Sequence, residues 1–295
     1  MQNLMHGLEA VDHGQKAAIA RELLADEERA PLRRPKVRWR WGLAGAVAAV
    51  VVAALVLVGL DRHRGVEAAT FVAQYATPHG QNRTISLPDG TSVTLGADSV
   101  LRVQYRAEAR SLDLVSGEAF FTVRHDASRP FVVQVGVARI EDLGTQFDVR
   151  RDSDQVVVAV ASGVVSVAYS EATAPAMDAR YPIAPVDVTA GREVVMATAT
   201  PNRPIQHRVV DGTVGAWRTG RLQFRDTPLG TVVANINRYS ATPIVLDGPG
   251  VAQLRFTGTI YVDRIETWLK AVQKALPVSE QGRSDSNIVL ALKGS

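Results

Sequence analysis

The chain has no cysteine, so disulfides, thiolate metal centres and cysteine nucleophiles are all excluded. It also lacks a charge excess of either sign: 33 Lys and Arg stand against 30 Asp and Glu. That near balance gives no general case for nucleic-acid binding. Aromatic residues make up only 6% of the chain. Catalytic signatures are missing too. There is no Gly-rich phosphate loop, no GxSxG elbow and no HExxH. The six histidines (His6, His13, His63, His79, His125 and His207) are scattered without metal-ligand spacing. His125-Asp126 precedes Ser128-Arg129-Pro130 and reads as a solvated turn. Glu141 and Asp142 are adjacent and would face opposite sides of a strand, which is wrong for paired acid–base work. The composition therefore points away from an enzyme, and from any cofactor or metal.

What is present begins with a long apolar run. Trp41–Leu60, WGLAGAVAAVVVAALVLVGL, carries no charged residue over 20 positions. As a helix it would rise about 30 Å, the thickness of a hydrocarbon core. Arg33, Arg34, Lys36, Arg38 and Arg40 precede it, whereas only Arg62 and Arg64 follow closely. The positive-inside rule then predicts a single-pass inner-membrane protein, with residues 1–40 a short cytoplasmic tail and the C-terminal region periplasmic. A cleaved signal peptide is the rival reading, with Val66-Glu67-Ala68 as a poor cleavage site.

Beyond the run, the sequence has two textures. Residues 61–196 read as all-β. Ile85 and Leu87 alternate, Pro88-Asp89-Gly90 turns, and Val93 and Leu95 resume the alternation. Leu112 with Leu114, Phe120 with Phe121, Phe131 to Val135, Phe147 with Val149, and Val156 to Val158 continue at similar spacing. A Pro-containing linker is expected over 197–215. Over 216–295 helical periods appear. Leu229, Val232, Val233, Ile236 and Tyr239 mark one helix, with Thr227 as N-cap and Pro228 first. Ile265, Trp268, Leu269, Val272 and Leu276 mark a second, opened by Asp263. The expected fold is mainly β: one transmembrane helix, a stacked or solenoid-like all-β domain, and a small α/β module of two βαβ units.

Several phrases then resemble FecR-type regulators, the anti-sigma factors of cell-surface signalling. They are LPDGTSVTLGADSVLRV (87–103), LVSGEAFFTV (114–123), RPFVVQV (129–135), LGTQFDVR (143–150) and VASGVVSV (160–167). AWRTGRLQFRDTPLGTVV (216–233) and NRYS (237–240) follow, in a module that looks like the secretin/TonB short N-terminal (STN) fold. The resemblance implies a regulator that binds an extracytoplasmic-function sigma factor through its tail. It also implies that the regulator receives the signalling domain of a TonB-dependent outer-membrane transporter, often one for an iron siderophore.

Residues 1–40 lack the Trp-Leu helical motif usual near the start of such proteins, and are shorter than the usual cytoplasmic domain. The tail offers Leu8, Val11, Ile19 and Leu23 as anchors for a sigma factor. Arg221, Leu222 and Phe224 on one strand, and Ile244, Val245 and Leu246 on another, are the candidates for the transporter's signalling domain, because an open strand edge accepts a partner strand. An envelope scaffold or assembly factor without sigma-factor binding is the alternative.

Some FecR-like proteins are cut at a Gly-Thr pair, and Gly144-Thr145 matches that phrase. A Thr hydroxyl attacking the preceding carbonyl would turn the amide into an ester that water opens. The competing reading is a tight bend at Gly144 leading into a strand, with Thr145 present for its β propensity.

Overall fold

The computed structural model describes residues 71–294 apart from 143, 171–183, 199–204, 211 and 285. The tail anchors Leu8, Val11, Ile19 and Leu23, and the run 41–60, lie outside the described residues.

One long strand organises the β-rich part. β5 (Arg110–Thr122) belongs to two sheets in succession. β1 (Phe71–Ala76), β2 (Arg83–Ser86), β3 (Ser92–Leu95) and β4 (Val100–Tyr105) precede it. β6 (Phe131–Val135), β7 (Ala138–Asp142), β8 (Gln146–Arg151), β9 (Gln155–Ser162), β10 (Val164–Tyr169), β11 (Val186–Thr189), β12 (Arg192–Ala197) and β13 (Gln206–Val209) follow. The first half of β5 pairs with β4 and, in parallel, with β6. Its second half pairs with β3 and β8. One sheet thus runs β11-β10-β7-β6-β5-β4-β1 and the other β2-β3-β5-β8-β9-β12-β13.

Parallel neighbours need a crossover connection. Here the chain crosses within β5 itself, passing into the second sheet before returning to β6. The 13 strands form one continuous curled sheet that closes over its own core. Apolar side chains fill that core in alternation. Val156, Val158 and Val160 of β9 point inward, and Phe121 stacks on Phe147 with ring centroids 5.0 Å apart.

Two local features make this possible. Gly117 marks the point where β5 changes sheet. Its φ is +87°, and a Cβ there would sit 2.6 Å from the Ser99 Cα, so only glycine fits. The expected turn at 88–90 is a three-residue hairpin loop. Gly90 N donates to Leu87 O at 2.9 Å, and Leu87 N donates to Thr91 O at 2.8 Å.

The C-terminal module contains β14 (Arg221–Pro228), α1 (Leu229–Ile236), β15 (Ile244–Leu246), α2 (Pro249–Gln253), β16 (Arg255–Tyr261), α3 (Ile265–Ala275), β17 (Val278–Arg283) and β18 (Ile288–Leu292). A short 3₁₀ turn, Ala216–Thr219, leads into it. Both helices occur where the apolar periods place them, but their starts differ. Pro228 rather than Thr227 occupies the N-cap of α1, and a 3₁₀ turn, Val262–Arg264, precedes α3. β13 lies within the stretch read as linker and pairs with β12.

Three expectations are corrected. The β-rich part is neither stacked nor a solenoid, because β5 ties all its strands into one curled sheet. The module does not contain two βαβ units. A βαβ unit needs parallel neighbouring strands, whereas β14 pairs antiparallel with β16, and the parallel neighbour of β15 is β18 rather than β14. The elements follow the expected order, but their pairing was set by contacts far apart in the chain. The single-pass inner-membrane topology is not met among the described residues. No helix among the described residues is long and apolar enough to cross a membrane, and α3, the longest, has 11 residues.

Candidate functional site

The module docks on the outer face of the second sheet, and the seam is built from charged groups inside apolar strands. Pleating puts Glu118 of β5 and Asp148 and Arg150 of β8 on the same face, opposite the side that fills the core. Phe120 shares that face and packs into the module's own core with Trp217. Arg218 lies over the Phe120 ring, its guanidinium carbon 3.5 Å from the centroid.

Arg150 pairs with Asp152 at 3.1 Å and approaches Glu118 at 3.9 Å. Arg238, just after α1, reaches Glu118 from the other side at 3.4 Å. It also donates to Ala97 O at 2.8 Å and to Ser99 Oγ at 3.0 Å. Trp217 Nε1 donates to Asp148 Oδ1 at 2.8 Å, and Asn235 Nδ2 donates to Asp152 Oδ1 at 3.0 Å. Burial pushes the Glu118 carboxyl above its ordinary value even though Arg150 and Arg238 oppose the shift. Burial and the neighbouring Glu118 push Asp148 well above its own. Burial likewise pushes the Tyr239 phenol up to about 12.

The segment 237–240 completes the dock. Tyr239 Oη donates to Asn82 Oδ1 at 3.0 Å, and Gly80 N donates to Arg238 O at 2.9 Å. The His79 ring bridges Asp98 Oδ2 at 2.9 Å and Ser240 O at 3.0 Å, and these two acceptors raise its pKa, the carbonyl more than the carboxylate. Beside the seam a cleft of about 380 Å³ is lined by Glu118, Asp148, Arg150, Val157, Trp217 and Leu222.

The candidate partner-binding residues divide. Leu222 and Phe224 on β14, and Ile244 on β15, are buried in the module's core. Arg221 and Leu246 are half-buried, and Val245 is 44% exposed. β14 pairs only with β16, and β15 only with β18, so among the described residues each keeps one edge without a partner strand.

The Gly144-Thr145 pair lies between β7 and β8. Asp142 Oδ2 accepts Gly144 N at 3.1 Å and Thr145 N at 3.2 Å, while its Oδ1 accepts Thr145 Oγ1 at 2.6 Å. Gly144 has φ +145°, and a Cβ there would come within 2.9 Å of the His125 Cα. Thr145 is buried at 8% exposure. His125 is exposed as expected, yet it packs against the Gly144 backbone. Asp142 faces inward and Glu141 outward, as strand alternation requires.

Sequence reasoning missed the charged seam. A signal for it exists: Glu118, Asp148 and Arg150 each interrupt an otherwise apolar strand at a position facing away from the core.

Residues 73–166 match the family described as FecR protein. A candidate anti-sigma factor from Parabacteroides distasonis ATCC 8503, solved at 2.50 Å, is 27% identical with a TM-score of 0.65, over 75% of this chain and 99% of that one. A second structure with the same description, at 1.65 Å, is also 27% identical, with a TM-score of 0.64 over 74% and 98%. No curated protein matches significantly. The chain thus carries a FecR-like domain over residues 73–166 and is similar, over about three quarters of its length, to two structures described as anti-sigma factors.

Proposed function

We propose that the chain regulates an extracytoplasmic-function sigma factor in response to the signalling domain of a TonB-dependent outer-membrane transporter, one for iron–siderophore uptake. The observation that carries this reading is the open edge of β15, with Val245 exposed, on a module clamped to a FecR-like domain. An unpaired strand edge is a template for a partner strand. Calorimetry with the full chain and the signalling domain of a TonB-dependent transporter from the same organism tests the reading. Deletion of residues 216–295 abolishes binding if the module is the receiver, whereas unchanged affinity moves the interface to the β-rich part. The sigma factor is taken up by the tail through Leu8, Val11, Ile19 and Leu23. A Leu8→Asp, Leu23→Asp double variant that leaves sigma-dependent transcription unchanged removes that face from the account.

A second activity is favoured by the 2.6 Å hydrogen bond from Thr145 Oγ1 to Asp142. Asp142 is placed to take the hydroxyl proton as Oγ1 attacks the Gly144 carbonyl carbon. The peptide C–N bond breaks, the Thr145 nitrogen gains a proton, and water then opens the ester. Intact mass on incubated protein would show two fragments meeting at Gly144 and Thr145, absent in Thr145→Ala and slowed in Asp142→Asn. A single stable species leaves the turn purely structural.

A further inference from the structure

We propose that the docking seam is a proton-binding site: Glu118 and Asp148 share one hydrogen, carried by Asp148 and donated to Glu118, and its release loosens the module from the β-rich part.

The argument starts from charge. Three carboxyls, those of Glu118, Asp148 and Asp152, meet two guanidiniums, those of Arg150 and Arg238. Glu118 is 3% exposed and Asp148 is 8% exposed. A cluster with three negative and two positive charges, buried this far, leaves one charge uncompensated, which is expensive in a low-dielectric site. One proton balances it.

Geometry says where the proton sits. Glu118 already faces both guanidiniums, Arg150 at 3.9 Å and Arg238 at 3.4 Å. Arg150's shortest contact is given to Asp152. Among the described residues Asp148 Oδ1 accepts from the neutral Trp217 indole, and Glu118 is its diagonal neighbour on the same face of the strand pair. Asp148 is therefore the poorer place for a negative charge. Two carboxyls sharing a buried site oppose each other's ionisation, and one of them is pushed well up.

The other charged groups around the pair leave this balance in place. Arg218 from the 3₁₀ turn is stacked on Phe120. Tyr239, next to Arg238, stays a neutral phenol. Glu193 of β12, Arg208 of β13, and Arg221 and Arg225 of β14 line the same cleft. The cleft also gives the proton a route out, because Glu118 and Asp148 both border it.

Burial raises both carboxyls above their ordinary values in the folded protein. The stability held by the proton is then complete below about pH 4, where unfolded carboxyls ionise, and is lost as pH rises through the raised folded value. Deprotonation leaves two carboxylates in contact, and they repel across the seam that Trp217 and Arg238 close. Rising pH thus weakens docking, whichever protein the module meets.

The test uses the full chain. Infrared spectra taken from neutral to alkaline pH are expected to show the carbonyl band of one protonated carboxylic acid disappearing, with a parallel shift in Trp217 emission that is absent in Trp217→Phe. Asp148→Asn keeps an oxygen for the indole and a hydrogen for Glu118, so it folds and loses both the band and the emission step. Should that variant fail to fold, Glu118→Gln supplies the same readout, since it removes the need for the proton. No carboxylic-acid band in the wild type at neutral pH, or a band that titrates unchanged in these variants, overturns the proposal.

Discussion

Asp89 and Arg110 are 21 residues apart in the chain, yet their side chains meet at 2.8 Å with 3% and 0% exposure. Asp89 sits at the hairpin loop before β3, and Arg110 opens β5. The guanidinium also donates to Arg124 O at 2.8 Å and Arg129 O at 3.0 Å, and it lies 5.3 Å from the Phe131 ring centre. Asp89 in turn accepts from Thr91 and Tyr105. One ion pair thereby ties the loop of 88–90, the return loop of 124–130 and the start of the shared strand together.

Removing one partner of a buried pair leaves the other uncompensated, at a cost of about 3–5 kcal/mol. Asp89→Ala is expected to lose about that much in chemical denaturation. Burial opposes the Asp89 charge, but the hydrogen bonds from Arg110 and Thr91 outweigh it and hold its pKa below the ordinary value. The resulting stability is present above about pH 4 and lost as pH falls through the lowered folded value. Asp89→Ala should flatten the acid limb of the pH–stability curve.

Gly117→Ala tests the crossing of β5 between sheets. The left-handed backbone alone costs a side chain about 1–3 kcal/mol, and the added methyl also meets the Ser99 backbone at 2.6 Å. A lowered unfolding midpoint is expected, and an unchanged one would mean that β5 can straighten there.

His79 should titrate above the ordinary histidine value, followed by its ring resonances in NMR. Its bridge to Ser240 O and Asp98 needs a hydrogen on each ring nitrogen. The contribution is present below about pH 6.5 and fades as pH rises through the raised folded value. Asp98→Asn should move the midpoint part of the way back, leaving the share due to the carbonyl.

Val245→Asp and Leu222→Asp should separate binding from folding. Val245 is 44% exposed, so its change should alter stability by within about 0.5 kcal/mol while abolishing partner binding. Leu222 is 5% exposed and should unfold the module. Retained binding in Val245→Asp would exclude the β15 edge.

Local patterns were legible and long-range ones were not. Pro88-Asp89-Gly90 announced a turn, and the apolar spacing of Trp268, Leu269 and Val272 announced the buried face of α3. The same Asp89 gave no hint of Arg110, because nothing in the sequence ties residue 89 to residue 110. β5 read as two separate apolar clusters, since a glycine at 117 reads as a break rather than a pivot. The βαβ reading failed at the step from order to pairing. Alternation marks strands but not their partners, and Phe224 and Phe256, whose ring centroids are 6.3 Å apart, meet only once β14 and β16 pair antiparallel. The seam was hidden for the same reason: Glu118, Asp148 and Arg238 are isolated charges until the module brings them together.

The central claim, regulation of a sigma factor in response to a transporter, is tested most directly by transcription. A reporter driven by the extracytoplasmic-function sigma factor that binds this chain should be compared with and without the gene, with and without the transporter's ligand. The account predicts that deleting the gene abolishes the response to ligand, leaving output fixed either high or low. An induction curve identical in both strains would contradict it.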